Sequence, residues 1–391
     1  MHVLILKSLT ADRNTKIQRR QYCKMKFSKV DRQTNKYLHL EVMRIFAIFW
    51  VIFNHTGLNG FFLFSQRPVG GVPFWIYLFV SVFCKFPVPL FFAISGALRL
   101  NRPDESLKKL WFGKILKIAI ILLVYSAGYY LYDRFKSGKE IDLNVFIIRL
   151  YSSTLKFHLW YLYLYIAYLA VIPFLKSLVK NLDDKYFYYM LFIAVFFDGI
   201  LPSIEYLIKQ GEVTINNNIK ISWLINSTVL YPCLGYFMQH RLKFESLKKY
   251  IPWLCGANVL GIMISCYMTY YKGLVTGVLI EPDSQAFHSS FVAINCVTIF
   301  LIIRMIFERR RLGDTVQKII LSVGSCTFGI YLWHIWIIER SSFNDGLARL
   351  KDTGLNNMIC ILLMCLMTMI ISYIITLILS KIPVIKKLVD F

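Results

Sequence analysis

The sequence predicts an all-α fold, a polytopic membrane bundle of about ten transmembrane helices. Of its 391 residues, 57% are hydrophobic and 17% are charged, whereas a soluble domain carries about 25% charged residues. The mean hydropathy is +0.54. The apolar residues form blocks of about 20, the length that crosses a hydrocarbon core of ~30 Å. These observations exclude an ordinary soluble enzyme, a disordered chain and a disulfide-stapled secreted module.

The apolar blocks define the order of the predicted spans. They cover residues 38–58, 74–98, 113–132, 158–178, 186–201, 222–239, 251–271, 287–307, 318–338 and 355–380. The fifth is the shortest, and the connectors leave no room for a separate soluble domain. We therefore predict two parts: a basic, disordered tail over residues 1–36, and a transmembrane domain over residues 37–385.

The charge distribution orients the spans. The net charge of +23 would suit a nucleic-acid-binding protein, but the charges lie in the connectors between apolar blocks. Connectors on the side of the N-terminus hold 31 lysines and arginines, and those on the other side hold 12. The positive-inside rule then places both termini in the cytoplasm.

The first span contains the ionisable residues Glu41, Arg44 and His55. Such residues are costly in a membrane and by default mark function. Arg44 and His55 are eleven residues apart, which on a helix is three turns and about 20°, so both lie on one face about 16 Å apart. Glu41 lies within pairing distance of Arg44. The alternative is an interfacial Glu–Arg pair with an unrelated histidine.

Three histidines are expected at one depth in the bundle. His55, His158 and His334 all lie near the outer ends of their spans. Histidine, tryptophan and tyrosine are also common at membrane interfaces, and this alternative is strongest for His158. No HxxxH or HxH spacing exists, and the nine cysteines form no CxxC pair. The sequence therefore implies no metal site.

The second span contains Lys85, followed by Pro87 and Pro89. A lysine next to two prolines in mid-span predicts an irregular helix that lines a cavity. Asp198, near the outer end of the fifth span, fits three roles: a counter-ion of Lys85, a carboxylate at an acceptor site, or a plain helix-end residue. The sequence leaves these three open.

Basic clusters on the predicted inner side are candidate phosphate sites. The first cluster follows the second span and contains Arg99, Arg102, Lys108, Lys109, Lys114 and Lys117. The second is Arg309, Arg310 and Arg311. Both clusters also fit topology-setting charge in contact with anionic lipid. No Walker A, GxGxxG or GxSxG motif is present, which argues against ATP-driven transport, dinucleotide chemistry and α/β-hydrolase chemistry.

The first span, LEVMRIFAIFWVIFNHTG, resembles the signature of acyltransferase family 3, the integral-membrane O-acyltransferases of bacterial surface glycans. In that signature an acidic residue precedes an arginine, and ten residues separate the arginine from a histidine. Three later stretches are also similar: VPLFFAISGAL, FGIYLWHIWIIE, and HLWYLYLYIAYLAVIPFL, which resembles the polysaccharide O-acetyltransferase branch. The family commonly has arginines where this chain has Lys85, Lys114 and Lys117.

The resemblance implies an enzyme of the bacterial plasma membrane that moves an acyl group, most simply acetyl, from cytoplasmic acyl-CoA to a hydroxyl of a surface glycan or its lipid-linked precursor. Acyl-CoA is then a substrate, with no permanently bound cofactor, and no nucleic acid is expected as a partner. The implied catalytic residues are His55, Arg44, Glu41 and His334. The implied residues for binding acyl-CoA or the acceptor are Lys85, Ser95, Arg99, Arg102, Lys114, Lys117, His158 and Tyr331.

Other functions stay open at this stage. His55 fits a general base or a nucleophile that carries the acyl group. A transporter or flippase of lipid-linked sugars would use the same buried charges without chemistry. A membrane sensor module is a third class, and a macrocycle or peptidoglycan is a further type of acceptor.

Overall fold

The computed structural model describes residues 37–209, 221, 224, 226–277, 279 and 291–382. The predicted tail over residues 1–36, parts of the sixth and eighth predicted spans and residues 383–385 lie outside the described residues. The described residues fold into helices joined by turns and contain no β-strand. The predicted all-α class is therefore confirmed.

Each of the ten predicted spans contains a helix among the described residues. The helices are α1 Leu38–Asn54, α2 Val72–Phe83, α3 Pro87–Arg99, α4 Leu107–Ser137, α5 Leu143–Ser152, α6 Phe157–Asn181, α7 Asp184–Ile208, α8 Leu230–Tyr236, α9 Phe244–Thr276, α10 Val292–Phe307, α11 Asp314–Ser325, α12 Thr327–Ile338, α13 Ser341–Asp352 and α14 Asn357–Leu379. A π-helical turn, Phe237–Arg241, continues α8.

The helices are long and apolar enough for a multi-pass membrane protein. Six segments of the described chain meet the requirements of a span: α2 with α3, α4, α6, α7, α9 and α14. Helices α11 and α12 meet at a 65° bend and together count as a seventh. Helices α1 and α10 have 17 and 16 residues. The count of ten spans and the cytoplasmic termini stay predictions.

The second predicted span is broken where the lysine and prolines stand. Helix α2 ends at Phe83, and Pro87 begins α3. The break frees backbone carbonyl groups, which must find donors inside a membrane protein. The side-chain amide of Asn54 donates to the carbonyl of Cys84 at 2.6 Å, and that of Asn295 donates to the carbonyl of Phe83 at 2.7 Å. Two polar side chains thus stabilise the irregular backbone.

Connectors that were predicted to share a side of the membrane contact each other. Arg241, after α8, forms an ion pair with Asp184 at 3.6 Å at the start of α7. At the opposite end, Lys156 before α6 pairs with Glu339 after α12 at 2.7 Å. Helix α1 packs at the centre of the bundle against α3, α10, α11, α12 and α14.

Two glycines bring the backbones of α3 and α8 into direct contact. A Cβ on Gly96 would overlap the carbonyl of Pro232, and a Cβ on Gly235 would overlap the carbonyl of Ala93. Small residues at such crossings let helices approach closely in membranes. The Ser-Gly pair that closes α3 therefore has a packing role through its glycine.

Replacing Gly96 with valine should destabilise the bundle, because rigid backbone atoms occupy the space of the new side chain. Overpacking a tight contact costs about 1–3 kcal/mol or more. We expect a lower melting temperature in detergent and a smaller folded fraction in size-exclusion chromatography. Gly128→Val in α4 is the matched control, since a Cβ there would meet no atom within 4 Å. Equal melting temperatures for the two variants would contradict this account of the contact.

Candidate active site

A cavity of about 1230 Å³ lies beside α1. Arg44, near the start of α1, and His55, directly after its end, both line this cavity. Eleven residues of helix separate them by about 16 Å. The cavity therefore runs along most of α1. Its volume exceeds the ~300–1,000 Å³ of an ordinary ligand pocket.

Most of the predicted site residues meet in this cavity. Those that line it are Arg44, His55, Lys85, Ser95, Arg99, Arg102, His158 and Tyr331. Glu41 and His334 lie behind the lining and contact a residue in it. Lys114 and Lys117 are not among its lining residues. Below, Arg44, Arg99 and Arg102 are called the arginine end, and His55, His158 and His334 the histidine end.

Glu41 positions the guanidinium of Arg44. Arg44 donates a hydrogen bond to Glu41 Oε1 at 2.8 Å. The other carboxylate oxygen of Glu41 lies against Gly324 at the end of α11, where a Cβ would overlap it. The carboxylate is therefore packed between α1 and α11, and its hydrogen bond holds Arg44 at the cavity wall.

At this end the other arginines line the cavity, whereas nearby lysines pair with carboxylates. Lys114 pairs with Glu105, and Lys176 pairs with Asp104 at 3.3 Å. The hydrogen bond from Lys176, with the charges of Lys180 and Lys176, lowers the pKa of the exposed Asp104, which keeps that carboxylate ionised. Arg102, by contrast, has no carboxylate partner among the described residues.

At the histidine end, two imidazoles are joined by a hydrogen bond. His334 Nε2 lies 2.9 Å from His55 Nδ1, and His334 Nδ1 lies 2.6 Å from the carbonyl oxygen of Tyr331. A carbonyl oxygen only accepts hydrogen bonds, so His334 Nδ1 must carry the proton. Neutral His334 then accepts at Nε2, and His55 Nδ1 donates to it. The network thereby leaves His55 Nε2 as the ring nitrogen with a free lone pair.

His158 is the third member of this group. Its ring centre lies 5.4 Å from that of His334 and 6.5 Å from that of His55. The side chain is 1% exposed, and neither ring nitrogen has a hydrogen-bond partner among the described residues. The Tyr331 hydroxyl donates to the backbone carbonyl of His158 at 2.7 Å and holds this turn in place. A buried imidazole without partners is costly unless a ligand supplies them.

Lys85 and Asp198 line the cavity as isolated charges. Lys85 Nζ lies 4.3 Å from the centre of the Phe61 ring. In the part of the chain that the structure describes, neither Lys85 nor Asp198 forms an ion pair. The two are therefore not each other's counter-ion.

Helix α6 contributes an aromatic wall to the cavity that was not predicted from the sequence. Tyr161 and Tyr165 line the cavity and stack with ring centres 5.7 Å apart. Tyr165 also lies 3.4 Å, hydroxyl to hydroxyl, from Ser95. The i, i+4 spacing of the tyrosines was the available signal, because it places both on one helix face. No group of three or more histidine, cysteine, aspartate or glutamate side chains in the described ranges has metal-binding geometry.

The fold and the site define a multi-pass helical membrane protein whose cavity has guanidinium groups at one end and paired imidazoles at the other. A comparison with protein families matches residues 37–377 to the acyltransferase domain of acyltransferase family 3. The chain belongs to acyltransferase family 3 and is a membrane acyltransferase. The searches of curated proteins and of solved structures found no match.

Proposed function

We propose that the protein transfers an acyl group, most simply acetyl, from cytoplasmic acyl-CoA to a hydroxyl of a surface glycan or its lipid-linked precursor. The observation that carries this proposal is the cavity that Arg44 and His55 both line. Acyl-CoA is a polyanion with a long thin arm and a thioester at its tip. A cavity with guanidinium groups at one end and imidazoles about 16 Å away suits that shape. The location that follows is a bacterial plasma membrane.

The arginine end is proposed to bind the phosphates of coenzyme A. Arg102 lacks a carboxylate partner among the described residues, and Arg99 donates to the hydroxyl of Tyr165. Guanidinium groups bind phosphate oxygens in pairs, which lysine cannot do. We therefore assign the phosphate contacts to Arg99 and Arg102, and we assign Lys114 a structural ion pair with Glu105. Arg44 would guide the arm toward the histidines.

At the histidine end, His55 Nε2 is proposed to remove the proton of the attacking hydroxyl. The hydroxyl oxygen forms a bond to the thioester carbon, and the carbon–sulfur bond then breaks. The proton on His55 passes to the departing sulfur of coenzyme A. The ring nitrogens of His158 have no partner among the described residues, and His158 is proposed to donate to the carbonyl oxygen as negative charge develops there.

Purified protein in vesicles, given acetyl-CoA labelled in the acetyl group, should transfer label to the glycan fraction of source cells that lack the gene. Arg102→Ala should raise the apparent KM for acetyl-CoA about tenfold, because a charge-assisted hydrogen bond contributes about 1.5–3 kcal/mol. Scintillation counting gives the rates, and mass spectrometry of the glycan identifies the added group.

Lys108→Ala is the matched control. This lysine lies in the same basic cluster, is exposed and is not among the cavity-lining residues, so its KM should be that of the wild type. Movement of the glycan across the vesicle membrane without transfer of label would contradict the proposal and favour transport of the glycan. An equal rise in KM for both variants would assign the phosphate contacts to general surface charge.

A further inference from the structure

Asp198 is carried on an irregular turn of α7. Residues Val195–Ile200 form a π-helical turn within this helix, and Phe197 and Asp198 from that turn both line the cavity. A π turn inserts an extra residue and rotates the following side chains, and such turns are frequent at functional sites. The turn therefore directs an acidic side chain into the cavity.

A strained phenylalanine holds this turn in place. Phe291 has a φ of +61°, a backbone conformation unfavourable for a bulky residue. Its ring contacts Gly199 of the turn, where a Cβ added to the glycine would lie 2.6 Å from the ring. Its own Cβ contacts Gly261 of α9, where a Cβ added to that glycine would lie 2.9 Å away. Strain of about 1–3 kcal/mol persists only where packing enforces it. Three helices thus fix the position of the Asp198 turn.

Asp198 lies at the level of the histidines. Asp184, at the start of α7, pairs with Arg241, and the neighbouring His240 lies 2.7 Å from the carbonyl of Ala97 near the end of α3. These contacts place the start of α7 at the arginine end. Asp198 follows Asp184 by fourteen residues, about 21 Å of helix. The carboxylate is therefore far from the groups that suit phosphates.

Lys85 lies at the same level, since Asn54, the residue before His55, donates to the carbonyl of Cys84. The cavity here offers an acceptor-only carboxylate and a donor-only ammonium, and neither forms an ion pair among the described residues. A hydroxyl both donates and accepts, so a ring with several hydroxyls can satisfy both groups. A cationic ligand would meet Lys85, and an anionic ligand would meet Asp198. The pair therefore favours a neutral, hydroxyl-rich ligand.

We infer that Asp198, together with Lys85, forms the acceptor subsite and selects a neutral sugar. This inference rests on the proposed acyl transfer and extends it to the second substrate. Asp198 accepts hydrogen bonds from hydroxyls next to the one that is acylated, and the aromatic side chains of Phe197 and Tyr231 supply apolar wall. Asp198 is a specificity-determining residue and takes no part in proton transfer.

The test uses full-length protein in vesicles, labelled acetyl-CoA, and increasing amounts of the glycan fraction of source cells that lack the gene. For Asp198→Asn we expect an apparent KM for the glycan about tenfold above that of the wild type, with the KM for acetyl-CoA changed by less than about twofold. Asp183→Asn, an exposed residue at the start of the same helix, is the control and should keep both values.

An unchanged KM for the glycan in Asp198→Asn would overturn the inference. So would a rise in the KM for acetyl-CoA as large as the rise for the glycan, because it would assign the carboxylate to the donor. If Asp198→Asn does not elute as a folded species, two other variants replace it: Asp198→Ser removes the charge and Asp198→Glu keeps it. The KM for the glycan and the KM for acetyl-CoA are then measured for both. Failure of the wild-type protein to transfer label refutes the proposed function itself, and is a different result from transfer with unaltered constants.

Discussion

The His55→Ala variant is expected to lose acyl transfer by about 10³-fold, the middle of the range for removing a general base. His55 Nε2 carries the free lone pair in the hydrogen-bonded pair that His55 forms with His334. The loss should appear in kcat, measured with labelled acetyl-CoA and the glycan fraction, while the KM for acetyl-CoA stays near that of the wild type. The arginine end is unchanged in this variant.

The control for this experiment is His39→Gln. His39 lies on the same helix, bonds to the side chain of Gln239 at 2.8 Å and is not among the cavity-lining residues, so its activity should be close to that of the wild type. His55→Ala leaves His334 Nε2 without its donor, which costs about 1–3 kcal/mol, and the melting temperature should fall accordingly. Near-normal turnover in a folded His55→Ala protein would refute the assignment of His55. Label that stays on the wild-type protein after acid quenching, and is absent from this variant, would instead identify His55 as a nucleophile.

His334→Ala should lower kcat by about 10²-fold without changing the KM of either substrate. His334 is a positioning residue, because its Nε2 accepts a hydrogen bond from His55 Nδ1 and so leaves His55 Nε2 free to act as the base. Without it, the His55 ring is free to rotate and to adopt the other tautomer. The loss of a residue that fixes a catalytic tautomer lowers rates by up to about 10⁴-fold in serine proteases.

A glutamine at position 334 separates positioning from packing. Its side-chain oxygen can still accept from His55 Nδ1, so His334→Gln should recover part of the lost kcat, whereas His334→Leu fills the space without an acceptor and should not. Rates are compared at saturating concentrations of both substrates. Equal rates for His334→Gln and His334→Leu would show that the ring of His334 contributes only packing between α12 and α1.

Local patterns in the sequence were sufficient for the helical class and for the shared face of Arg44 and His55. The length of an apolar block predicts a membrane span directly, because each residue of a helix adds a constant rise and the hydrocarbon core has a fixed thickness. The break before Pro87 was predictable for a similar reason, since proline removes a backbone donor and clashes with the preceding turn. The family resemblance came from such short stretches and is confirmed over residues 37–377.

Contacts between distant segments were needed for the rest. The sequence placed three histidines at one depth, but the 2.9 Å contact between His334 and His55 depends on how α12 packs against α1. Arg102 and Lys114 differ in role because Glu105, in the connector between α3 and α4, pairs with Lys114 and not with Arg102. The direction of Asp198 depends on a π turn that the ring of Phe291, at the start of α10, contacts at Gly199. Helical periodicity sets the face of a residue on its own helix, whereas the partner of that face is set by side-chain packing across the bundle.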